Sequence, residues 1–209
     1  MKHPLRYLIA CIFFLFLQQV QAQFGYGLTI NNDLYHRYTN PADSTGTGRS
    51  AGSAILNLSI GPKIWVGGPK FSVSAEIQAG IGFLGLGVKD FKGLGTTSFP
   101  MMIKFNFGGL SGLEKEGMTG FSIGGGLQYS KTELYGVSNK YKALGVKRPL
   151  FKTYVVQASY GFGLSGFGIA GLLKYGWNPD TKANIMALGI QWDFNLPMVS
   201  KISNPGNEL

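Results

Sequence analysis

The stretch Phe71 to Phe83, FSVSAEIQAGIGF, constrains the chain more than any other. Phe71, Val73, Ala75, Ile77, Ala79, Ile81 and Phe83 take the odd positions; Ser72, Ser74, Glu76, Gln78, Gly80 and Gly82 take the even ones. A period of two without a miss specifies a strand with two unlike faces. Its 13 residues exceed the roughly five or six usual in soluble domains. They suit a tilted strand crossing a bilayer, which needs about 9–11 residues in the hydrocarbon layer.

Seven further segments repeat the pattern. The first runs from Phe24 to about Tyr35, and the second from about Ser53 to Trp65 with Ile55 out of phase. The stretch above is the third. The fourth spans Phe99 to Phe107, the fifth Thr119 to Ser130, the sixth Thr153 to Phe162, the seventh Phe167 to Trp177 and the eighth Ile185 to Phe194. Links Gly67–Lys70 and Gly163–Gly166 are tight turns, whereas Arg37–Gly52, Leu84–Ser98 and Lys131–Lys152 are long. Short turns at one end and longer loops at the other predict an up-and-down barrel with periplasmic turns and external loops.

The longest apolar run, Tyr7 to Leu17, has 11 residues, short of the roughly 20 of a membrane helix. It follows Lys2, His3 and Arg6 and precedes Val20-Gln21-Ala22, the layout of a cleavable signal peptide. Residues 1–22 are assigned to that peptide, 23–195 to the barrel and 196–209 to a short periplasmic tail. Cys11 lies inside the apolar run with only four apolar residues before it, too few for a lipoprotein signal. The mature chain then has no cysteine, which excludes disulfides and thiolate metal sites. Removing Lys2 and Arg6 lowers the formal charge from +9 to +7.

Alternation alone does not say which face looks outward. The polar face here is Gly, Ser, Thr, Asn and Gln with few charges, which suits a filled lumen better than a water-facing surface. Aromatics also mark the strand ends. Phe24, Phe71, Phe107, Phe121, Phe162, Phe167 and Phe194 stand at one end; Phe83, Phe99, Tyr129, Tyr154 and Trp177 stand at the other. Two such rings are the girdles of a membrane barrel. The expected fold is therefore all-β: an eight-stranded antiparallel up-and-down transmembrane β-barrel.

From Gln23 to Phe194 the chain resembles the small eight-stranded outer-membrane barrels of the OmpA/OmpX-like class. Trp192-Asp193-Phe194 resembles the aromatic-ended last strand that the barrel insertion machinery reads, although a 15-residue tail follows it. The resemblance implies a place in the outer membrane, among envelope lipids including lipopolysaccharide, with an envelope protein as a further possible partner. It fixes place more than task, because the class hosts adhesins, structural proteins and lipid-modifying enzymes.

Four inward charges are candidates for a lumen network: Glu76, Lys104, Lys174 and Asp193. With the intervening loop centred near Asp90, Glu76 faces Lys104 directly. Either a static bridge plugs the barrel or an exchangeable one gates a narrow pore, since an unpaired charge in a narrow interior is costly. An eight-stranded interior is just wide enough for side chains, which disfavours a diffusion channel. Lys131, Lys140, Lys142, Lys147, Arg148 and Lys152 form a basic external loop with Glu133 as its only acid. Such a loop either contacts lipid phosphates or simply stays soluble.

His36 is placed in the first external loop. The resemblance to palmitoyl-transferring barrels would make a loop histidine a catalytic base, but Asp90 precedes Phe91 rather than a serine. Lipid-deacylating barrels pair His and Ser two residues apart, and His36-Arg37-Tyr38 has no Ser. A base without a nucleophile argues against an enzyme. Two GxGxxG matches, at Gly80 and Gly161, lack the strand-to-helix unit that dinucleotide binding requires. No cofactor, metal or nucleic-acid partner is expected.

Overall fold

The computed structural model describes residues 23–39, 49–51, 57–82, 94–112, 118–135, 139–143, 145 and 149–198. Residues 1–22, expected to be a signal peptide, and most of the expected tail lie outside them. The strands are β1 (Gln23–Thr39), β2 (Arg49–Ala51), β3 (Asn57–Gly67), β4 (Phe71–Ile77), β5 (Ala79–Gly82), β6 (Leu94–Gly108), β7 (Met118–Tyr135), β8 (Phe151–Leu164), β9 (Phe167–Trp177) and β10 (Asn184–Asn195). One short helix, α1 (Asn139–Ala143), lies between β7 and β8.

Every pairing is antiparallel. β1 pairs with β10 on one side and with β3 on the other, which closes the sheet on itself. The ten strands make eight staves, because β2 continues the β3 side above β1 and β4 and β5 follow each other along β3 and β6. The stave Phe71–Gly82 is broken at Gln78 for a chemical reason. Gln78 N donates to Pro100 O at 2.9 Å, but Pro100 has no N–H to return the bond.

The expected faces are observed. Ile77, Ile103 and Ile123 are 58%, 57% and 54% exposed, while Ser72, Lys104 and Thr153 are fully buried. A soluble domain would invert that order. At the end carrying the tight turns, Phe71, Phe105, Phe107 and Phe121 stack along neighbouring strands, and Phe167 meets Phe194 at 5.1 Å between ring centres. This is the turn end of the barrel, and the opposite one is the loop end. The β8–β9 hairpin turns on Ser165-Gly166, where Gly166 takes φ 74°, open to glycine at little cost.

Four strands extend past expectation at the loop end. β1 runs to Thr39, β6 begins at Leu94, β7 runs to Tyr135 and β8 begins at Phe151. Polar residues that look like loop in sequence continue the ladder there, because neighbouring strands satisfy their backbone. Lys131 is therefore in β7 and Lys152 in β8, not in a loop.

Candidate functional site

The chemistry-bearing side chains converge in the lumen. Among the described residues, Lys63, Lys104 and Lys174 are buried there with Asp33, Glu76 and Asp193. Lys104 Nζ lies 2.5 Å from Glu76 Oε1. The two residues are not directly opposite, as expected, but diagonal: Glu76 pairs with Met102, and Lys104 with Ser74. The observed register differs by two residues from the expected one, and the lysine stem covers the difference. It has room because Gly124 is its other neighbour; a Cβ there would stand 2.5 Å from Lys104 Cγ.

Gln191 joins two halves of the network. Its Oε1 accepts from Lys104 Nζ and from Gln157 Nε2, each at 2.9 Å, and its Nε2 donates to Asp193 Oδ1 at 2.9 Å. Asp193 Oδ2 accepts from Lys63 Nζ at 2.7 Å. On the far side, Gln78 Nε2 donates to Glu76 Oε1 at 3.1 Å, and Gln78 Oε1 accepts from Asn31 and Ser59. Lys174 does not join this set. Its Nζ lies 3.9 Å from Asp33 Oδ1. Lys63 and Asp33, absent from the four expected charges, thus complete the ion pairs. Their inward phase was the available signal.

His36 is not in a loop. It lies in β1 and points into the lumen, because Leu34 is a bulge: the register passes from Asp33 opposite Gly189 to Tyr35 opposite Leu188. Leu34 and Tyr35 are both exposed, and the phase beyond them is inverted. Asn57 Nδ2 lies 2.8 Å from His36 Nδ1 and donates to Asp33 Oδ2 at 2.8 Å. His36 Nδ1 also lies 3.3 Å from Asp33 Oδ2, so Asp33, His36 and Asn57 form one buried polar cluster. His36 shares a cavity of about 10 Å³ with Thr96, Ser98, Ser130 and Thr132, room for roughly one water molecule. None of these hydroxyls is hydrogen-bonded to the ring in the described set.

Buried apolar groups lie towards both ends of the lumen. At the turn end the Trp65 ring fills the space left by Gly25, where a Cβ would stand 2.2 Å from Trp65 Cε2. Leu110 and Ser111 tuck in at the same end, with Ser111 Oγ donating to Pro69 O at 2.7 Å and Ser72 Oγ donating to Ser111 O. Towards the loop end, Met102, Phe151, Val155, Ala183 and Ile185 form a buried apolar cluster with Tyr38 against it. Glycine and polar side chains were expected to fill the middle; these inward apolar residues are the exception.

The basic set is dispersed. Lys131 is exposed on the outer face of β7 and Lys142 is exposed on α1, which also carries Lys140. Lys152 sits outward on β8 with its Nζ 4.9 Å from the centre of the Tyr154 ring. Lys147 and Arg148 lie outside the described residues. Arg37, exposed on β1, adds an outward cation at the same end.

An apolar exterior between aromatic belts, around a filled polar lumen, defines a small transmembrane β-barrel of the outer-membrane type. No family model matches the chain, and no curated protein matches it in sequence. Solved structures are similar in architecture. The N-terminal β-barrel domain of Pseudomonas aeruginosa OprF matches 83% of this chain and 100% of its own, at TM-score 0.46 and 12% identity. Neisserial surface protein A matches 83% and 98%, at TM-score 0.45 and 7% identity. The Yersinia pestis attachment invasion locus protein Ail, solved with the heparin analogue sucrose octasulfate, matches 82% and 99%, at TM-score 0.43 and 12% identity.

Proposed function

We propose that the protein is a sealed, non-enzymatic outer-membrane barrel that acts through its surface, as a structural element whose extracellular rim contacts phosphates of envelope lipids, lipopolysaccharide among them. The observation that carries this is the packing of side chains in the lumen: ion pairs joined through Gln191 in the middle, Trp65 towards one end and the Phe151–Ile185 cluster towards the other. Water-filled conduction needs an open path, and an eight-stave interior filled by side chains leaves little. The turn end is taken as periplasmic and the loop end as extracellular. Lys131 and Lys152 then stand just beyond the aromatic belt, at headgroup level, where each cation near anionic lipid contributes about 1 kcal/mol.

A lipid-modifying role for His36 has little support, since its cavity of about 10 Å³ admits no acyl substrate. Export through residues 1–22, recognition of Trp192-Asp193-Phe194 by the insertion machinery and contact of the tail with an envelope protein belong to the same proposal. Planar-bilayer recording tests it. The expected result is no current above background from purified protein. Steady single-channel currents that change with Glu76→Gln would overturn it in favour of a narrow channel or small-ligand transporter.

A further inference from the structure

Most glycines of this barrel are demanded by their surroundings. Gly25, Gly61, Gly124, Gly126 and Gly161 have backbone or ring atoms within 2.3 Å of where a Cβ would stand. Gly171 is different. It faces outward in the middle of β9, and the nearest atom to its absent Cβ is Tyr160 O at 3.9 Å. Glycine weakens a strand interior, and on a lipid-facing position it also gives up apolar contact. Neither crowding nor backbone conformation requires it.

What Gly171 does is leave a hollow. With Ala158 on β8 it forms the floor of an apolar groove of about 660 Å³ on the outer surface, within the roughly 300–1,000 Å³ of small-molecule sites. Phe121 and Tyr160 flank one side of it, and Leu173 with Leu188 beside it the other, with Leu34 beyond. The bulge at Leu34 places that side chain outside, at the groove's edge. Three residues further along β1, about 10 Å towards the loop end, Arg37 projects outward and is exposed.

We propose that this groove is a fixed binding site for one lipid of the outer leaflet, an acyl chain lying over Gly171 and Ala158 and an anionic phosphate headgroup meeting Arg37. It builds on the membrane-spanning barrel and the surface role proposed above. The pairing of an apolar trough with a cation beyond its end matches the two halves of such a lipid. A second copy of the barrel fits poorly, because Tyr160 and Phe121, 67% and 50% exposed, stand as ridges that hold a convex partner off. A flexible chain passes between them. Within the bilayer the gain is van der Waals packing, not expulsion of water.

Native mass spectrometry of the full barrel, released from detergent after incubation with dimyristoyl phosphatidylglycerol or phosphatidylcholine, tests the proposal. Wild type is expected to retain one lipid and to prefer phosphatidylglycerol. Gly171→Leu fills the floor and should lower retention about tenfold, while heat-modifiable migration on gels shows that the barrel still folds. Arg37→Gln should keep retention and lose the headgroup preference. Equal retention by wild type and Gly171→Leu overturns the site, as does a dimer that Gly171→Leu dissolves. Headgroup preference unchanged in Arg37→Gln overturns the role of Arg37. Currents in planar bilayers would sink the sealed-barrel proposal and leave this one standing, so the two failures are distinct.

Discussion

Lys63 Nζ stands 2.7 Å from Asp193 Oδ2 across 130 residues of chain. Their strands, β3 and β10, are not neighbours; β1 runs between them. β1 presents Gly27 opposite Lys63, with no side chain to block the crossing. The pair therefore ties the first and last parts of the barrel together from inside, next to the seam where the sheet closes.

Breaking that tie should be costly. Lys63→Met leaves Asp193 buried with its charge only partly answered through Gln191, and removing one partner of a buried pair costs about 3–5 kcal/mol. The expected outcome is a lower urea midpoint for unfolding from detergent micelles. The double variant Lys63→Met, Asp193→Leu should recover much of the loss, because neither charge is then stranded. A double variant as unstable as the single one would assign the stability to packing of the lysine stem.

The lipid-facing surface yields the opposite of ordinary surface behaviour. Ile103 is 57% exposed, and in water its replacement by Arg would fall within about 0.5 kcal/mol of neutral. At the bilayer midplane the same change should cost about 2–4 kcal/mol. Reversible unfolding in phospholipid vesicles measures it. A neutral Ile103→Arg would contradict membrane placement of this face.

Alternation made most of this fold legible, and its failures are instructive. From Phe71 to Gly82 side-chain chemistry and face agree residue by residue, so the sequence reveals both strand and burial. His36 was placed wrongly because a bulge at Leu34 adds a residue without altering composition. Ile185, Val155 and Trp65 are apolar and inward, and against an outward apolar face they look like noise in the pattern. Register is the third gap. Alternation fixes faces but not which residues stand opposite, and a shift of two along β6 moves Glu76 from Lys104 to Met102. Which charges meet in the lumen depends on register around the whole ring, so the inward phase of Lys63 was legible in sequence but its pairing with Asp193 was not.

The closure at the turn end can be tested apart from the one above it. Trp65→Ala removes a large buried ring beside Gly25 and should cost about 3–5 kcal/mol, since the rigid strands cannot collapse into the space. Conductance should nonetheless stay at background, because the Phe151–Ile185 cluster remains. Adding Phe151→Ala and Ile185→Ala to Trp65→Ala is the combination expected to raise leak, provided the barrel still folds. A leak from Trp65→Ala alone would mean that the apolar cluster does not seal.

The last expectation concerns the rim. Lys131 and Lys152 project outward from adjacent strands, and Lys152 is held near the Tyr154 ring. A cation kept at the edge of the aromatic belt loses little freedom on meeting a phosphate. If each contributes about 1 kcal/mol, replacing both with Gln should weaken binding of bisphosphorylated lipid A roughly thirtyfold, with a smaller effect on the monophosphorylated form. The difference should shrink as salt rises, since exposed charges are screened beyond about 8 Å at physiological ionic strength. Titration of lipid A into barrel in nanodiscs, at low and high salt, measures both. Equal binding by wild type and the double variant would move the rim cations from lipid contact to mere solubility, whatever the lumen does.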